Sequence, residues 1–198
     1  MRGLVIVVAA YLLGAVPFGF LIYKLKGGED IRRVGSGNIG ATNVVRAAGW
    51  GAGLVTLALD MAKGYLAVWA AGRLANSDPL WPAAAALAVM LGHAFSVFLR
   101  FHGGKAVATA VGAYLALAPV PLAASAGVFV ATVAVTRYVS LGSILGASCF
   151  PLFLWLLGGG PTPVLAAAVL SALLIVWRHQ QNIRRLLAGA ESRLGGGR

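Results

Sequence analysis

Residues 106–136 read AVATAVGAYLALAPVPLAASAGVFVATVAVT, a run of 31 residues without one charged side chain. A helix needs about 20 apolar residues to cross a bilayer, so this run is too long for a single crossing. Pro119 and Pro121 divide it near the middle. Two prolines so close together favour a turn over a kink, because proline removes a backbone donor and restricts the residue before it. The run therefore predicts two short spans, at about 105–118 and 121–136.

Five more apolar runs accompany this pair, at residues 3–23, 51–72, 80–99, 139–157 and 162–177. The 198-residue chain is 60% hydrophobic and 11% charged, and its mean hydropathy is +0.87. Soluble domains are about 45–50% apolar and about 25% charged. The sequence thus predicts an all-α polytopic membrane protein with seven transmembrane helices and a single domain over residues 1–198.

The net charge of +11 comes from 16 Lys and Arg against 5 Asp and Glu. In a soluble protein this excess would suggest nucleic-acid binding. Little of this chain lies outside the lipid, so we expect membrane lipids and small anions as partners and no nucleic acid. We also expect the protein to be a monomer. With the N-terminus outside, 13 cations fall on the cytoplasmic side and only Arg2 and Arg73 on the other. The positive-inside rule therefore predicts an outer N-terminus and a cytoplasmic C-terminus.

A first polar motif, GSGNIGATNVVR, occupies residues 35–46. Its glycines let backbone N–H groups converge on one point, as in the anion sites of backbone nests and helix N-termini. Polar side chains are added at Ser36, Asn38, Thr42, Asn43 and Arg46. The motif favours a phosphate cradle, although it lacks the Gly-Lys-Ser/Thr ending of a Walker A loop. A flexible glycine linker between two spans is the alternative.

A second motif joins His93 to Gly103, Gly104 and Lys105, which stand directly before an apolar run. Two glycines and a lysine at a helix N-terminus offer backbone donors, an ammonium group and a favourable helix dipole to an anion. Lys105 could equally be a snorkelling lysine at the membrane surface. His93 could be a buried histidine with structural hydrogen bonds only.

The third motif, RHQQNIRR, covers residues 178–185. As a helical continuation of the last span it places Arg178, Asn182 and Arg185 on one face, with His179 alongside. Such a group could close over a polar headgroup. The alternative is a juxtamembrane basic helix lying on anionic lipid.

Acidic residues are scarce, and no pair of them has the spacing of a two-metal site. The single cysteine excludes a cysteine-based metal site. We therefore expect no metal and no cofactor. Asp60 stands three residues before Lys63 within the second span, which predicts a buried ion pair. The His-x4-Asp signature of many acyltransferases is absent.

Together the motifs resemble the PlsY family of bacterial acyl-phosphate:glycerol-3-phosphate acyltransferases. The resemblance rests on GSGNIGATNV at 35–44, GHAF at 92–95, GGK at 103–105, HQQNI at 179–183 and LALDMAKG at 57–64. It implies a seven-helix fold in the bacterial inner membrane with an active site facing the cytoplasm. It also implies transfer of an acyl chain from acyl phosphate to glycerol 3-phosphate, which yields lysophosphatidic acid and phosphate.

The resemblance further implies roles for individual residues. Ser36, Arg46 and Lys105 are expected to hold the phosphate of glycerol 3-phosphate, and His179 and Asn182 to place its hydroxyl. The acyl-phosphate phosphate would be cradled by Gly103, Gly104, Thr42 and Asn43. Asn38 and His93 are expected to be further substrate-binding residues. A mixed anhydride is already activated, so orientation and positive electrostatics are the main requirements.

Three positions depart from the family's pattern. Ser96 stands where proline is usual, His102 where lysine is usual, and Ala106 where glycine is usual. Ala106 matters if the backbone must pass the phosphate with a positive φ. We expect these departures to affect the rate and not the class of reaction.

Two other functions compete with acyl transfer at this point. A transporter of small anions would favour broken helices and polar groups near the middle of the membrane. A metal-dependent alcohol phosphotransferase would need several aspartates, which the chain lacks.

Overall fold

The computed structural model describes residues 1–158 and 160–195, and every regular element in those ranges is helical. Nine α-helices lie in the described residues: α1 (Arg2–Ala15), α2 (Phe18–Leu25), α3 (Ala41–Leu74), α4 (Leu80–Ala94), α5 (Val107–Leu117), α6 (Pro119–Thr136), α7 (Val139–Gly158), α8 (Thr162–Arg178) and α9 (Gln180–Leu187). Each of the seven predicted apolar segments therefore contains an α-helix, although α4 ends at Ala94, before the end of the run at 80–99.

The predicted break in the long apolar run is confirmed. Helix α5 ends at Leu117, and α6 begins at Pro119 after the non-helical residue Ala118. The prolines lie in the first turn of α6, where a missing N–H leaves no intrahelical bond unmade. The chain forms two compact units that meet in sequence at this point, Met1–Leu117 and Ala118–Arg198.

Glycines let the helices of the first unit approach backbone to backbone. A Cβ on Gly14 would overlap Val89 of α4, and one on Gly92 would overlap the carbonyl of Tyr11. A Cβ on Gly112 of α5 would likewise overlap a carbonyl of α3. Small residues at such crossings are the usual way to pack helices in lipid, where little hydrophobic driving force exists between them.

Five of the described helical segments are long and apolar enough to cross a membrane, or six if the bent pair α8 and α9 is one span. Helix α5 has only 11 residues, which is about 16 Å at 1.5 Å per residue and shorter than the hydrocarbon core.

Many large apolar side chains on the long helices are exposed, among them Leu54, Trp69 and Trp155. A surface of this kind fits a multi-pass membrane protein, whereas a soluble monomer rarely exposes so much apolar area.

The structure differs from the sequence predictions at three breaks. The first span is interrupted at Val16 and Pro17, between α1 and α2. Helix α3 already begins at Ala41 and is kinked at Gly49, where φ is +86°. The last span does not continue straight through the third motif, because α8 and α9 meet at an angle of 56° at His179. Several motif residues therefore lie on helices or hinges.

Candidate active site

The loop from residue 31 to 40 folds around the side chain of Asn43, in the first turn of α3. The Asn43 amide nitrogen donates to the carbonyls of Val34 at 2.9 Å, Asn38 at 2.8 Å and Ile31 at 3.3 Å. Its oxygen accepts the backbone N–H of Ser36 at 2.9 Å. Asn43 is 1% exposed, so it holds the loop from inside.

Positive φ angles at Gly35 (+59°) and Gly37 (+70°) give this loop its shape. A Cβ on Gly35 would overlap the Asn43 side chain, so both space and conformation require glycine there. Ser36 and Asn38 are half-buried beside these turns. The loop thus depends on glycine at position 35, and its predicted role as a phosphate cradle stays a prediction.

Thr42 and Arg46 are exposed and lie one turn apart on α3. Residues four apart share a helix face, so their polar groups project from the same side of the helix. The first turn of α3 contains no acidic residue. The positive end of the helix dipole and a guanidinium therefore stand together next to the Ser36 loop, an arrangement that attracts an anion.

Arg32 fastens the start of this loop to the turn after α4. Its guanidinium makes a forked pair with Asp30, at 3.0 and 2.7 Å, and donates to the Leu99 carbonyl at 3.5 Å. The hydrogen bond from Arg32 lowers the pKa of the Asp30 carboxyl below its ordinary value. The same guanidinium lies 5.8 Å from the centre of the Phe20 ring. Sequence reasoning did not single out this clamp.

The glycine pair of the second motif packs against the end of α4. The Gly103 N–H donates to the Ala94 carbonyl and the Gly104 N–H to the His93 carbonyl, at 3.2 and 3.0 Å. A Cβ on Gly104 would overlap Nε2 of the His93 ring. Both amides therefore bond the C-terminal turn of α4, and their predicted contact with phosphate stays a prediction.

Lys105 is half-buried just ahead of α5, and Ala106 follows it with φ at +60°. The positive φ that would make glycine preferable at this position is thus present. An L-residue in this conformation costs about 1–2 kcal/mol. Ala106 is 1% exposed, so the strained residue lies inside the protein.

The ion pair predicted within the second span is confirmed. Lys63 Nζ lies 2.8 Å from Asp60 Oδ1 and donates to the Val16 carbonyl at 2.9 Å. His93 Nδ1 lies 3.6 Å from the same Asp60 oxygen. All three side chains are 1–4% exposed. His93 is therefore a buried residue beside a carboxylate, next to the glycine pair.

In the second unit, Glu191 gathers the polar groups of the third motif. Its carboxylate accepts from Ser140 Oγ at 2.7 Å, Asn182 Nδ2 at 2.6 Å and Arg185 Nε at 2.7 Å. Burial raises the pKa of Glu191, but these hydrogen bonds and the Arg185 charge outweigh it and hold the pKa below its ordinary value. Sequence reasoning missed Ser140, which no motif marks, and assigned no role to Glu191.

His179 stands at the bend between α8 and α9 and is 2% exposed. Its Nδ1 lies 2.7 Å from the Ile175 carbonyl oxygen. A carbonyl only accepts, so Nδ1 carries the proton of this hydrogen bond. In the neutral ring Nε2 is then the acceptor, as a histidine that receives a substrate hydroxyl requires.

Within residues 1–158 and 160–195, no group of three or more His, Cys, Asp or Glu side chains is placed to hold a metal ion. The polar side chains of the three motifs are instead amides, hydroxyls, imidazoles and cations. A multi-pass helical membrane protein with glycine-rich, cationic loops of this kind is built to handle an anionic substrate.

Comparison with known proteins shows the family to which this chain belongs. A family model described as glycerol-3-phosphate acyltransferase matches residues 4–189, and the chain belongs to this family. The glycerol-3-phosphate acyltransferase of Desulforamulus reducens is 50% identical over 96% of this chain and 94% of its own length. That of Trichlorobacter lovleyi is 47% identical over 96% of this chain and 97% of its own.

Two solved structures are also similar. They are crystal structures of PlsY (YgiH), an integral membrane glycerol 3-phosphate acyltransferase. The glycerol 3-phosphate form has a TM-score of 0.93 and 43% identity, and the lysophosphatidic acid form has a TM-score of 0.91 and 42% identity. Each comparison covers 98% of this chain and 96% of the other.

Proposed function

We propose that this chain transfers an acyl group from acyl phosphate to glycerol 3-phosphate, forming lysophosphatidic acid and phosphate in the first acylation of phospholipid synthesis. The observation that carries the proposal is the family match over residues 4–189. Solved relatives in glycerol 3-phosphate and lysophosphatidic acid forms, which resemble this chain along 98% of its length, support the acceptor and the product.

The acceptor's phosphate is held by Ser36, Arg46 and Lys105. Support comes from the loop geometry, since the Ser36 N–H bonds Asn43 in the first turn of α3 and Arg46 lies in the next turn. A guanidinium, an ammonium group and a helix dipole stabilise a dianion more strongly than neutral donors do.

The donor's phosphate is bound by Asn38, Thr42 and the segment with Gly103 and Gly104. Asn43 serves this site from inside the loop, because its amide makes four hydrogen bonds to loop backbone, at distances of 2.8 to 3.3 Å. Asn43 is therefore a positioning residue in this proposal. His93 supports the glycine segment from behind.

His179 and Asn182 place the acceptor hydroxyl. The hydroxyl oxygen attacks the acyl carbon, the bond from that carbon to the phosphate oxygen breaks, and the electron pair leaves with phosphate. The hydroxyl proton goes to the departing phosphate. Glu191 is an unsuitable base, because three donors stabilise its ionised form.

For the arrangement in the membrane we propose seven transmembrane helices, an outer N-terminus and a cytoplasmic C-terminus. The inner-membrane protein is a monomer with a single acyltransferase domain over residues 1–198, and its active site faces the cytoplasm. The distribution of 13 cations against two across the proposed sides supports this orientation. A reporter fused to the C-terminus should be active only in the cytoplasm, and a periplasmic signal would contradict the orientation.

The activity is tested with purified protein, acyl phosphate and glycerol 3-phosphate in the presence of EDTA. We expect lysophosphatidic acid, and a loss of about a hundredfold or more in kcat/KM for Lys105→Ala and Ser36→Ala. Arg73→Ala, an exposed cation outside the three motifs, is the matched control and should retain activity. Absence of product, or full activity in both site variants, would refute the proposal, and product from an acyl thioester alone would refute the donor.

A further inference from the structure

We propose that Asp60 and Lys63 are positioning residues for acyl transfer: they orient His93, which in turn supports the Gly103–Gly104 segment that leads to Lys105. The inference rests on the proposed function for its reaction. It adds two residues of a membrane helix to which the proposed function assigns no contact with substrate.

The first argument is the cost of burying these charges. Asp60 and Lys63 have side chains 2% and 1% exposed within α3, a helix of the apolar bundle. Ionisable groups in such segments are expensive, and apolar residues of similar volume would often pack as well or better. Stability alone is therefore a weak reason for the pair, and a functional role is the default hypothesis.

The second argument is an unbroken line of contacts from α1 to the glycine segment. Lys63 Nζ bonds the Val16 carbonyl at the break after α1 and pairs with Asp60 at 2.8 Å. Asp60 Oδ1 lies 3.6 Å from Nδ1 of His93. Lys63 therefore holds the Asp60 carboxylate in place, and the negative charge of this carboxylate lies next to the His93 imidazole.

The third argument is the geometry of His93 itself. Its Nδ1 edge lies towards Asp60, whereas its Nε2 edge lies where a Cβ on Gly104 would be. The His93 backbone carbonyl also accepts the Gly104 N–H at 3.0 Å. A turn of the ring away from Asp60 would therefore remove the surface on which the segment rests, two residues before the strained Ala106.

The test is a double-mutant cycle between the ion pair and His93. Asp60→Leu/Lys63→Met removes both charges together, which leaves no unpaired buried charge and should preserve folding. We expect a fall of about tenfold in kcat/KM for acyl phosphate, because slight misplacement of a binding group is costly to rate. His93→Ala should lower kcat/KM by a similar factor, and adding the pair to His93→Ala should lower it little further.

Thr56→Val is the matched control, since Thr56 is a fully buried polar residue of the same helix whose hydroxyl donates to the Ala52 carbonyl of its own helix. It should leave kcat, KM and the unfolding temperature unchanged. If Asp60→Leu/Lys63→Met does not fold, Asp60→Glu replaces it in the cycle, because it keeps the charge and moves the carboxylate by one methylene.

Full activity of the folded pair variant, or effects that multiply with those of His93→Ala, would overturn the proposal. An equal loss in Thr56→Val would also overturn it, since the effect would then be one of packing. Wild-type protein is measured in the same experiment. If the wild type forms no lysophosphatidic acid, the proposed function has failed. If the wild type is active but the variants show no coupling, only the inference about Asp60 and Lys63 has failed.

Discussion

Replacement of Asn43 by alanine tests whether this residue builds the first loop. The change removes hydrogen bonds to the Val34 and Asn38 carbonyls at 2.9 and 2.8 Å, a weaker one to Ile31 at 3.3 Å, and the acceptor for the Ser36 N–H. At about 1 kcal/mol net for each good bond, the loop loses about 3 kcal/mol. Because 1.4 kcal/mol is a factor of ten, local opening should become about a hundredfold more frequent.

Hydrogen–deuterium exchange of the peptide covering residues 31–42 measures this opening directly. In Asn43→Ala the Ser36 amide should exchange about a hundredfold faster than in the wild type, and the KM for glycerol 3-phosphate should rise with it. Asn76→Ala, in the exposed turn after α3, is the control and should change neither quantity. Wild-type exchange at Ser36 in Asn43→Ala would refute the argument, even if activity fell.

Three further predictions concern packing, pH and strain. Gly112→Ala should destabilise the protein by more than about 2 kcal/mol, because its Cβ would overlap the Met61 carbonyl, whereas Gly127→Ala meets open space and should be neutral in thermal unfolding. Glu191→Gln should lower the unfolding temperature at pH 7. Since the folded pKa of Glu191 lies below the ordinary 4.5, its contribution is present above that pH and is lost as pH falls through the folded pKa, so variant and wild type should converge in acid. Ala106→Gly relieves about 1–2 kcal/mol of backbone strain, but loses about 0.8 kcal/mol of methyl burial and about 0.4–1 kcal/mol of chain entropy. Its unfolding free energy should stay within about 1 kcal/mol of wild type, and a larger change in denaturation would contradict this balance.

The positions of the helices were predictable because apolar runs in a membrane protein mark the segments that lipid or protein must cover. The breaks inside them were harder. Pro17 was a visible signal, since the residue before a proline disfavours helical geometry, and Val16 is such a residue. The bend at His179 had no such signal: no proline or glycine stands between Ile175 and Ile183. It depends on contacts of the folded chain, such as that of His179 with the Ile175 carbonyl.

The candidate site, like the fold, was only partly predictable from the sequence. Composition and spacing indicated which loops would be polar, but they did not distinguish a residue that faces substrate from one that shapes the loop. Asn43 and Arg46 lie three residues apart on α3, yet one is buried in a network of loop carbonyls and the other is exposed. Helical periodicity separates the two faces only once the start of α3 at Ala41 is known. Because these residues are polar, the sequence predicted a loop at their positions. A loop has no helical periodicity that could separate the buried Asn43 from the exposed Arg46.

The scarcity of acidic residues has a stronger chemical meaning in the structure than in the sequence. Asp30, Asp60 and Glu191 are each in an ion pair, and Asp78 accepts the N–H of Leu80 at the start of α4. At Asp30 and Glu191 these partners lower the pKa of the carboxyl, so both groups are weak bases. Glu29 is exposed in the loop before Asp30. Rate acceleration in this protein is therefore expected from placement and positive charge, with the donor's own phosphate as proton acceptor. Removing a cation of the first two motifs should therefore lower activity far more than removing the charge of Glu29. The test compares the activity of Arg46→Gln with that of Glu29→Gln.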